Sequence, residues 1–120
     1  MRNLTMLTDL YQLTMMYGYY RCGMADRIGI FDLFFRKSPG GSGYAIAAGL
    51  EQAIDFINDL HFADEDLAYL RSLGLFNEDF LNLLKNFKFT GEMYAVPEGT
   101  VVFPYEPIIR VKAPIMEAQL

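Results

Sequence analysis

Residues 8–20 combine a helix start with an aromatic side chain in the first turn. Thr8 is a suitable N-cap because its hydroxyl oxygen accepts hydrogen bonds from first-turn amides, and Asp9 suits the positive end of the helix dipole. Tyr11 lies one residue off the apolar stripe of this helix. The free N–H groups of a helix start favour anions. The arrangement could receive a flat carboxylated ring, although a first-turn tyrosine is more often ordinary packing.

Arg36 and Lys37 are the only adjacent basic residues, and they precede a glycine-rich segment, residues 38–43 (Ser-Pro-Gly-Gly-Ser-Gly). Two positive charges beside backbone amides that an anion can approach closely could hold a phosphate group. The segment has neither the P-loop lysine pattern nor the G-x-G-x-x-G spacing. A hairpin-like loop with a solvated basic end explains the same residues, and the pattern alone favours that explanation.

Two further residues have reactive side chains but no evident partner. His61 stands between apolar neighbours at a helix end, and we expect a packed or surface histidine because no carboxylate, serine or cysteine partner is evident nearby. Cys22 is the single cysteine, so it forms no internal disulfide and offers no metal-ligand spacing. A lone cysteine fits a reduced, cytoplasmic compartment.

The elements that must position these residues are helical first and β-stranded last. Apolar spacing predicts helices from Thr8 to Gly23, over 48–60, from an Asp64 cap to Gly74, and from an Asn77 cap to 87. A strand is predicted over 28–37, a short one over 44–46, and three more over 89–96, 100–103 and 108–112. A Pro-initiated helix follows at 114–120. Segregated helices and strands indicate an α+β fold, and the closely spaced turns favour a small β barrel or sandwich.

Composition narrows the class of protein. A chain of 120 residues with 52% hydrophobic and 21% charged residues is an ordered single domain. The net charge of −5 argues against a general nucleic-acid binder. The sequence shows no signal peptide and no apolar run approaching the ~20 residues of a membrane span. Ten Phe and eight Tyr predict either a well-filled core or apolar surface meant for a partner or further chain.

A family resemblance runs along nearly the whole chain. Residues 7–15 (Leu-Thr-Asp-Leu-Tyr-Gln-Leu-Thr-Met) resemble the opening signature of nicotinate phosphoribosyltransferases. Later stretches resemble the same family in the same order: residues 31–37 (Phe-Asp-Leu-Phe-Phe-Arg-Lys), 44–50 (Tyr-Ala-Ile-Ala-Ala-Gly-Leu), 96–104 (Val-Pro-Glu-Gly-Thr-Val-Val-Phe-Pro), Pro107, and 113–120 (Ala-Pro-Ile-Met-Glu-Ala-Gln-Leu). Several motifs in order make the resemblance specific.

The resemblance implies a fold and a reaction. It implies an α/β-hammerhead-like N-terminal domain of a type II phosphoribosyltransferase over residues 1–120, truncated at the helix near 114–120, with a downstream α/β barrel outside the chain. The reaction joins nicotinate to phosphoribosyl pyrophosphate, giving nicotinate mononucleotide and pyrophosphate in NAD biosynthesis, coupled to ATP hydrolysis and accompanied by Mg²⁺. Homodimers with shared active sites are implied as well.

The resemblance also gives roles to individual residues. Tyr11 would stack on the pyridine ring and Asp9 would orient it. Arg36, and less directly Lys37, would hold phosphate of the sugar substrate. The family's phosphorylated histidine and carboxylate-binding arginine belong to the absent portion, so no catalytic residue and no metal ligand is expected here. These residues alone are therefore expected to lack transferase activity.

Two alternatives remain beside this interpretation. A nicotinamide-using relative would share the fold, because the residues that choose acid over amide lie downstream. A stand-alone binding module, similar to biotinyl or lipoyl carriers, would also suit an apolar β-rich domain. The candidate turns at residues 97–99 and 104–107 lack the lysine that such a carrier needs.

Truncation of Phe34 or Leu50 is expected to cost stability if these residues are buried.

Overall fold

The computed structural model describes residues 2–120, with the backbone but not the side chain of Pro39. The chain has a mixed α/β fold in which helices and strands are less segregated than the sequence predicts, because two strands lie between the first and second helices. In order they are α1 (Leu10–Arg21), β1 (Ile28–Leu33), a 3-10 turn (Pro39–Gly41), β2 (Ala45–Ile46), α2 (Leu50–Asn58), α3 (Asp64–Ser72), α4 (Glu78–Lys85), β3 (Glu92–Ala95), β4 (Val101–Val102), β5 (Ile109–Pro114) and α5 (Ile115–Gln119).

The strands form two open antiparallel sheets. β5 lies at the centre of a three-stranded sheet between β1 and β3, with Phe31, Val111 and Met93 aligned across the three strands. β2 and β4 form a separate two-stranded sheet. Of the predicted barrel or sandwich, the barrel is wrong for the described residues. β2 and β4 have two residues each and pair only with one another, so no strand joins the edges at β1 and β3.

The helical part has a continuous core. Its centre is Phe80 of α4, whose ring lies 5.0 Å from that of Tyr17 and 5.4 Å from that of Phe76, measured between centroids. The buried side chains of this cluster come from α1, α3, α4, α5 and the connections between them: Leu13, Met16, Leu60, Phe62, Leu67, Leu70, Phe80, Leu81, Leu84, Phe87 and Met116. The apolar stripes of α1, α3 and α4 therefore pack against one another, which is the arrangement that their spacing predicts.

Helix starts match the sequence in one case out of three. The Asn77 side chain caps α4, because its Oδ1 accepts a hydrogen bond from the Phe80 N–H at 2.9 Å. α1 begins after Asp9 rather than Thr8, and Asp9 makes no side-chain capping bond. α3 is preceded by Ala63 rather than capped by Asp64; the Asp66 carboxylate accepts a hydrogen bond from the Ala63 N–H at 2.8 Å.

The three-stranded sheet is covered less completely than the helical core. Its inner face and α2 enclose an open apolar cavity of about 350 Å³, lined in part by Phe31, Val111 and Phe56. No residue of α2 is fully buried. Phe34 is exposed and Leu50 half-buried, so neither belongs to the buried core. In residues 2–120 we find no helix with the length and hydropathy needed to cross a bilayer.

Candidate functional site

The start of α1 presents Asp9 and Tyr11 at the surface. Tyr11 lies in the first turn and is 57% exposed, and Asp9 is exposed immediately before the helix. The opposite face of the same helix is held in place, because Leu13 and Met16 are buried in the helical core. An aromatic ring is therefore exposed at the helix start, on a helix that the core holds in place.

Polar contacts join α1 to α5. The Tyr19 hydroxyl donates a hydrogen bond to Gln119 Oε1 at 2.9 Å. The Gln119 amide group also donates to the Gln12 side chain, one residue beyond Tyr11. Since α5 continues directly from β5, these contacts fix the start of α1 relative to the three-stranded sheet.

A second set of hydrogen bonds fixes the segment before α1. Asn3 Nδ2 donates to the His61 carbonyl oxygen at 3.1 Å, and Asn3 Oδ1 accepts from the Thr5 N–H at 3.0 Å. The buried Thr5 hydroxyl accepts a hydrogen bond from the His61 N–H at 3.2 Å. The sequence gives no local sign of this cluster, because its two sides lie 56–58 residues apart.

His61 is a surface residue with more partners than the sequence suggests. Its Nδ1 lies 2.6 Å from the Asp59 carbonyl oxygen and 3.7 Å from Asp59 Oδ1, so the expectation of no neighbouring carboxylate is wrong. Its Nε2 lies 3.3 Å from Asn3 Nδ2. Because that amide nitrogen is a donor, Nε2 accepts and the ring proton is assigned to Nδ1. Both ring nitrogens are thus used in local structure.

Arg36 and Lys37 lie at the surface just beyond β1, which ends at Leu33 rather than at residue 37. The chain is fixed there by the Phe35 carbonyl oxygen, which accepts a hydrogen bond from the Tyr105 N–H at 2.8 Å. Within the described part of the chain, none of the ion pairs involves either basic residue. Both cations are therefore available to an anionic ligand.

The glycine-rich segment after these cations has an unusual backbone. Gly40, Gly41 and Gly43 have φ angles of 67°, 71° and 79°, in the left-handed region that glycine adopts without strain. The hydroxyl oxygen of Ser38 is buried and has no hydrogen-bond partner among the described residues. A buried hydroxyl without a partner is uncommon, since burial of an unpaired polar group is unfavourable.

The structure does not bring the two pairs of candidate residues into contact. Asp9 and Tyr11 belong to the α1–α5 side, whereas Arg36 and Lys37 follow the opposite end of β1 from the one that adjoins α5. No hydrogen bond, ion pair or ring contact found within residues 2–120 joins one pair to the other. In the same residues, no three His, Cys, Asp or Glu side chains cluster closely enough to hold a metal ion.

The strongest ion pairs lie outside these positions. Arg110 on β5 makes two hydrogen bonds to the Asp32 carboxylate on β1, at 2.7 and 3.0 Å, and these bonds lower the pKa of Asp32. The Arg71 guanidinium in α3 donates to Glu78 in α4 at 2.6 and 3.0 Å and lowers the pKa of that carboxyl. Each pair joins two neighbouring elements, so its evident role is structural.

Comparison with solved structures identifies the class of protein that this fold defines. The crystal structure of human nicotinic acid phosphoribosyltransferase matches with a TM-score of 0.84 at 36% identity, over 93% of this chain and 23% of that one. A nicotinate-nucleotide pyrophosphorylase structure from Pyrococcus furiosus matches with a TM-score of 0.65 at 15% identity, which shows likeness of fold alone. The fold is thus that of an N-terminal region of such transferases.

Sequence comparison gives the particular family. The model of the nicotinate phosphoribosyltransferase N-terminal domain matches residues 6–120. A nicotinate phosphoribosyltransferase of Mycobacterium tuberculosis is 46% identical over 96% of this chain and 25% of its own length. The Bacillus subtilis nicotinate phosphoribosyltransferase is 47% identical over 98% of this chain and 24% of its own. The chain belongs to this enzyme family, as the resemblance predicts, and spans about a quarter of the length of these relatives.

Proposed function

We propose that this chain acts as the N-terminal domain of an enzyme that joins nicotinate to phosphoribosyl pyrophosphate. The products are nicotinate mononucleotide and pyrophosphate, the reaction is coupled to ATP hydrolysis, and it serves NAD biosynthesis in the cytoplasm. The observation that carries the proposal is the family match over residues 6–120, together with identities of 46% and 47% to two bacterial nicotinate phosphoribosyltransferases.

Tyr11 and Asp9 are the proposed contacts with nicotinate. An exposed ring in the first turn of a core-anchored helix can stack on the flat pyridine ring, which contributes about 0.5–1.5 kcal/mol beyond area burial. Asp9, two residues earlier and free of any capping bond, orients the ring or its neighbours. This proposal needs the α1 start to face the reacting centre.

Arg36 and Lys37 are the proposed contacts with the phosphates of the sugar substrate. Charge-assisted hydrogen bonds from these cations to phosphate oxygens are stronger than bonds between neutral groups. The Ser38 hydroxyl, which has no partner among the described residues, and the left-handed glycines that follow support an anion at this loop. Both cations are exposed in the structure, and no ion pair within residues 2–120 involves them.

The separation of the two pairs supports an active site shared between subunits of a homodimer. A single copy of this chain offers the aromatic contact and the phosphate contact at different places, so a second copy or a further part of the enzyme must complete the centre. Exposed Leu7, Leu10 and Met15 around the start of α1 provide apolar surface for that contact. ATP and Mg²⁺ are assigned to the complete enzyme, on residues outside this chain.

The first test is the mass of the natural protein in its source cells, measured by intact mass spectrometry. A mass several times 13.7 kDa supports the transferase proposal. A mass of 13.7 kDa contradicts it and favours the stand-alone binding module. The 120-residue chain alone is expected to release no pyrophosphate from nicotinate and phosphoribosyl pyrophosphate, and turnover by the pure chain would overturn that expectation.

The second test is Tyr11→Ala in the complete enzyme, with Tyr69→Ala as its matched control. The two tyrosines are 57% and 58% exposed on α1 and α3, so both changes remove a similar surface ring. Loss of stacking is expected to raise KM for nicotinate about three- to tenfold in Tyr11→Ala. Tyr69→Ala should leave it unchanged. Equal kinetics in both variants would disprove the stacking role.

Substrate choice between nicotinate and nicotinamide is tested separately. The relatives reported above carry nicotinate or nicotinic acid in their names. We therefore expect the complete enzyme to turn over nicotinate much faster than nicotinamide at equal concentrations. The reverse order would assign the enzyme to the nicotinamide-using branch while leaving the fold and the phosphate contacts as proposed.

A further inference from the structure

The segment before α1 is fastened to the connection between α2 and α3 by a reciprocal pair of hydrogen bonds. Thr5 Oγ1 accepts from the His61 N–H at 3.2 Å, while Asn3 Nδ2 donates to the carbonyl oxygen of the same residue at 3.1 Å. The N–H and the carbonyl oxygen of His61 are thus both hydrogen-bonded to the segment before α1. Asn3 Oδ1 closes the cluster by accepting from the Thr5 N–H at 3.0 Å.

The anchor itself is rigid. His61 is flanked by Leu60 and Phe62, which are both buried in the helical core, so its backbone cannot shift without disturbing that core. Thr5 is 1% exposed, so its hydroxyl has no access to replacement water. Loss of the Thr5 hydroxyl therefore leaves the His61 N–H without its hydrogen-bond partner, which proteins avoid.

The residues between this cluster and α1 have few other attachments. A turn is closed by the Leu7 N–H and the Leu4 carbonyl oxygen at 2.8 Å, and both of these leucines are exposed. Met6 adds a half-buried contact with the core. Asp9 follows Thr5 by four residues, and its carbonyl oxygen accepts the first helical bond, from Gln12 N–H at 3.0 Å. Among the described residues, the cluster at Asn3 and Thr5 is thus the nearest hydrogen-bonded attachment upstream of Asp9 to a distant part of the chain.

We propose that Asn3 and Thr5 are positioning residues for the nicotinate contact. Held by His61 on one side and by the Gln12–Gln119 contact on the other, the helix start presents Asp9 and Tyr11 in one fixed place. Stacking requires Tyr11 to lie at a defined distance and angle from the pyridine ring. Greater mobility of the α1 start would therefore weaken nicotinate binding and leave the phosphate contacts unchanged. This inference rests on the proposed function of Tyr11.

The test uses the complete enzyme with Thr5→Val, Asn3→Asp and Thr5→Ser. Valine removes the hydroxyl at equal volume, and aspartate replaces the donor to the His61 carbonyl by a carboxylate oxygen. We expect KM for nicotinate to rise about three- to tenfold in both, with kcat and KM for phosphoribosyl pyrophosphate within about twofold of the original. Thr5→Ser keeps the hydroxyl and should restore the original KM.

Three controls separate positioning from general damage. Asn86→Asp introduces the same charge change at an exposed site and should leave KM unchanged. Amide hydrogen exchange of His61 should accelerate at least about tenfold in Thr5→Val, while that of the Leu84 amide in the core stays the same. In a Tyr11→Ala background, Thr5→Val should raise KM for nicotinate by a smaller factor than it does alone, because the stacking contact that it positions is gone.

The outcomes distinguish this inference from the proposed function. If the unsubstituted complete enzyme has no transferase activity, both the proposed function and this inference are contradicted. An active enzyme in which Thr5→Val and Asn3→Asp leave KM for nicotinate unchanged contradicts only the inference. Equal loss of kcat, of both substrates' affinities and of thermal stability would show a merely structural role and would also overturn it.

Discussion

The helical region and the three-stranded sheet differ in how they use their aromatic residues. Phe80 of α4 is 0% exposed and contacts three other aromatic rings, whereas Phe34, just after β1, is 41% exposed and contacts the ring of Tyr105. Helices α1, α3 and α4 bury one another's apolar faces. The sheet and α2 leave an open cavity of about 350 Å³ instead.

The many apolar and aromatic side chains of the protein are therefore found in two settings, a packed core and an exposed surface. Composition leaves open whether the many Phe and Tyr fill a core or form a surface for a partner, and the structure shows a filled core in one region and exposed apolar side chains in the other. The exposed apolar side chains lie around β1 and the start of α1.

The largest expected effect compares the two phenylalanines directly. Phe80→Ala removes a fully buried ring from the helical core and is expected to lower the free energy of unfolding by about 3–5 kcal/mol. Phe34→Ala should cost about 1 kcal/mol, because much of its side chain already contacts water. Urea unfolding followed by circular dichroism measures both. Equal losses would break the contrast between the regions.

A pair of glycine substitutions tests how tightly the sheet and the helical region are packed. A Cβ on Gly91 would lie 2.3 Å from the Ala113 Cβ and 2.6 Å from the Lys112 carbonyl oxygen, so the strands are tightly packed at this point although the sheet's face is open. Gly91→Ala is expected to cost about 3 kcal/mol through overpacking.

Gly18 in α1 is the matched control for that substitution. A Cβ there meets nothing within 4 Å, so Gly18→Ala should stabilise the helix by about 0.5–1 kcal/mol. Thermal unfolding of the two variants should therefore shift in opposite directions. A stabilising Gly91→Ala would mean that β3 and β5 do not approach as closely as the structure shows.

A smaller effect tests the helical region alone. Asn77→Ala removes the side-chain oxygen that accepts the Phe80 N–H, and loss of such a cap costs about 1 kcal/mol. Asn82→Ala, at an exposed position within the same helix, should change stability by less than about 0.5 kcal/mol. If both variants unfold at the same urea concentration, the cap contributes nothing to the stability of α4.

The smallest expected effect concerns one ion pair in each region. The pKa of Asp32 in the sheet and that of Glu78 in the helical part are both lowered, chiefly by hydrogen bonds from Arg110 and Arg71. A carboxyl whose pKa is lower when folded adds stability that is fully present above its unfolded pKa, near 4. That stability is lost as the pH falls through the lower folded value.

Asp32→Asn and Glu78→Gln should therefore each flatten the acid side of the stability profile. The measurement is the urea midpoint at several pH values below about 5. Above that range the urea midpoint of each variant should differ from that of the unsubstituted protein by a nearly constant amount. This difference should become smaller toward lower pH. A difference that is the same at every pH would show that the carboxyl contributes no pH-dependent stability.

Local patterns predicted the parts of the fold that depend on near neighbours. Helical spacing gave α1 to α4 and the Asn77 cap, because both depend on residues within one or two turns. The helix starts predicted at Thr8 and Asp64 were wrong by one residue: Asp9 and Ala63 precede α1 and α3, and the Asp66 carboxylate, two residues into α3, accepts a hydrogen bond from the Ala63 N–H. The roles of Asp9, Tyr11, Arg36 and Lys37 stay predictions; the structure shows all four exposed but in two separate places.

The sequence by itself determined the family, the helices and the exposed basic pair after β1. Only the tertiary structure decided that the sheets stay open, because strand closure depends on pairing between distant segments rather than on alternation within each strand. It alone also joined Asn3 and Thr5 to His61. Hydrogen bonds between residues more than fifty positions apart leave no local pattern; they follow from the packing of Leu60 and Phe62 into the core beside the chain's first residues.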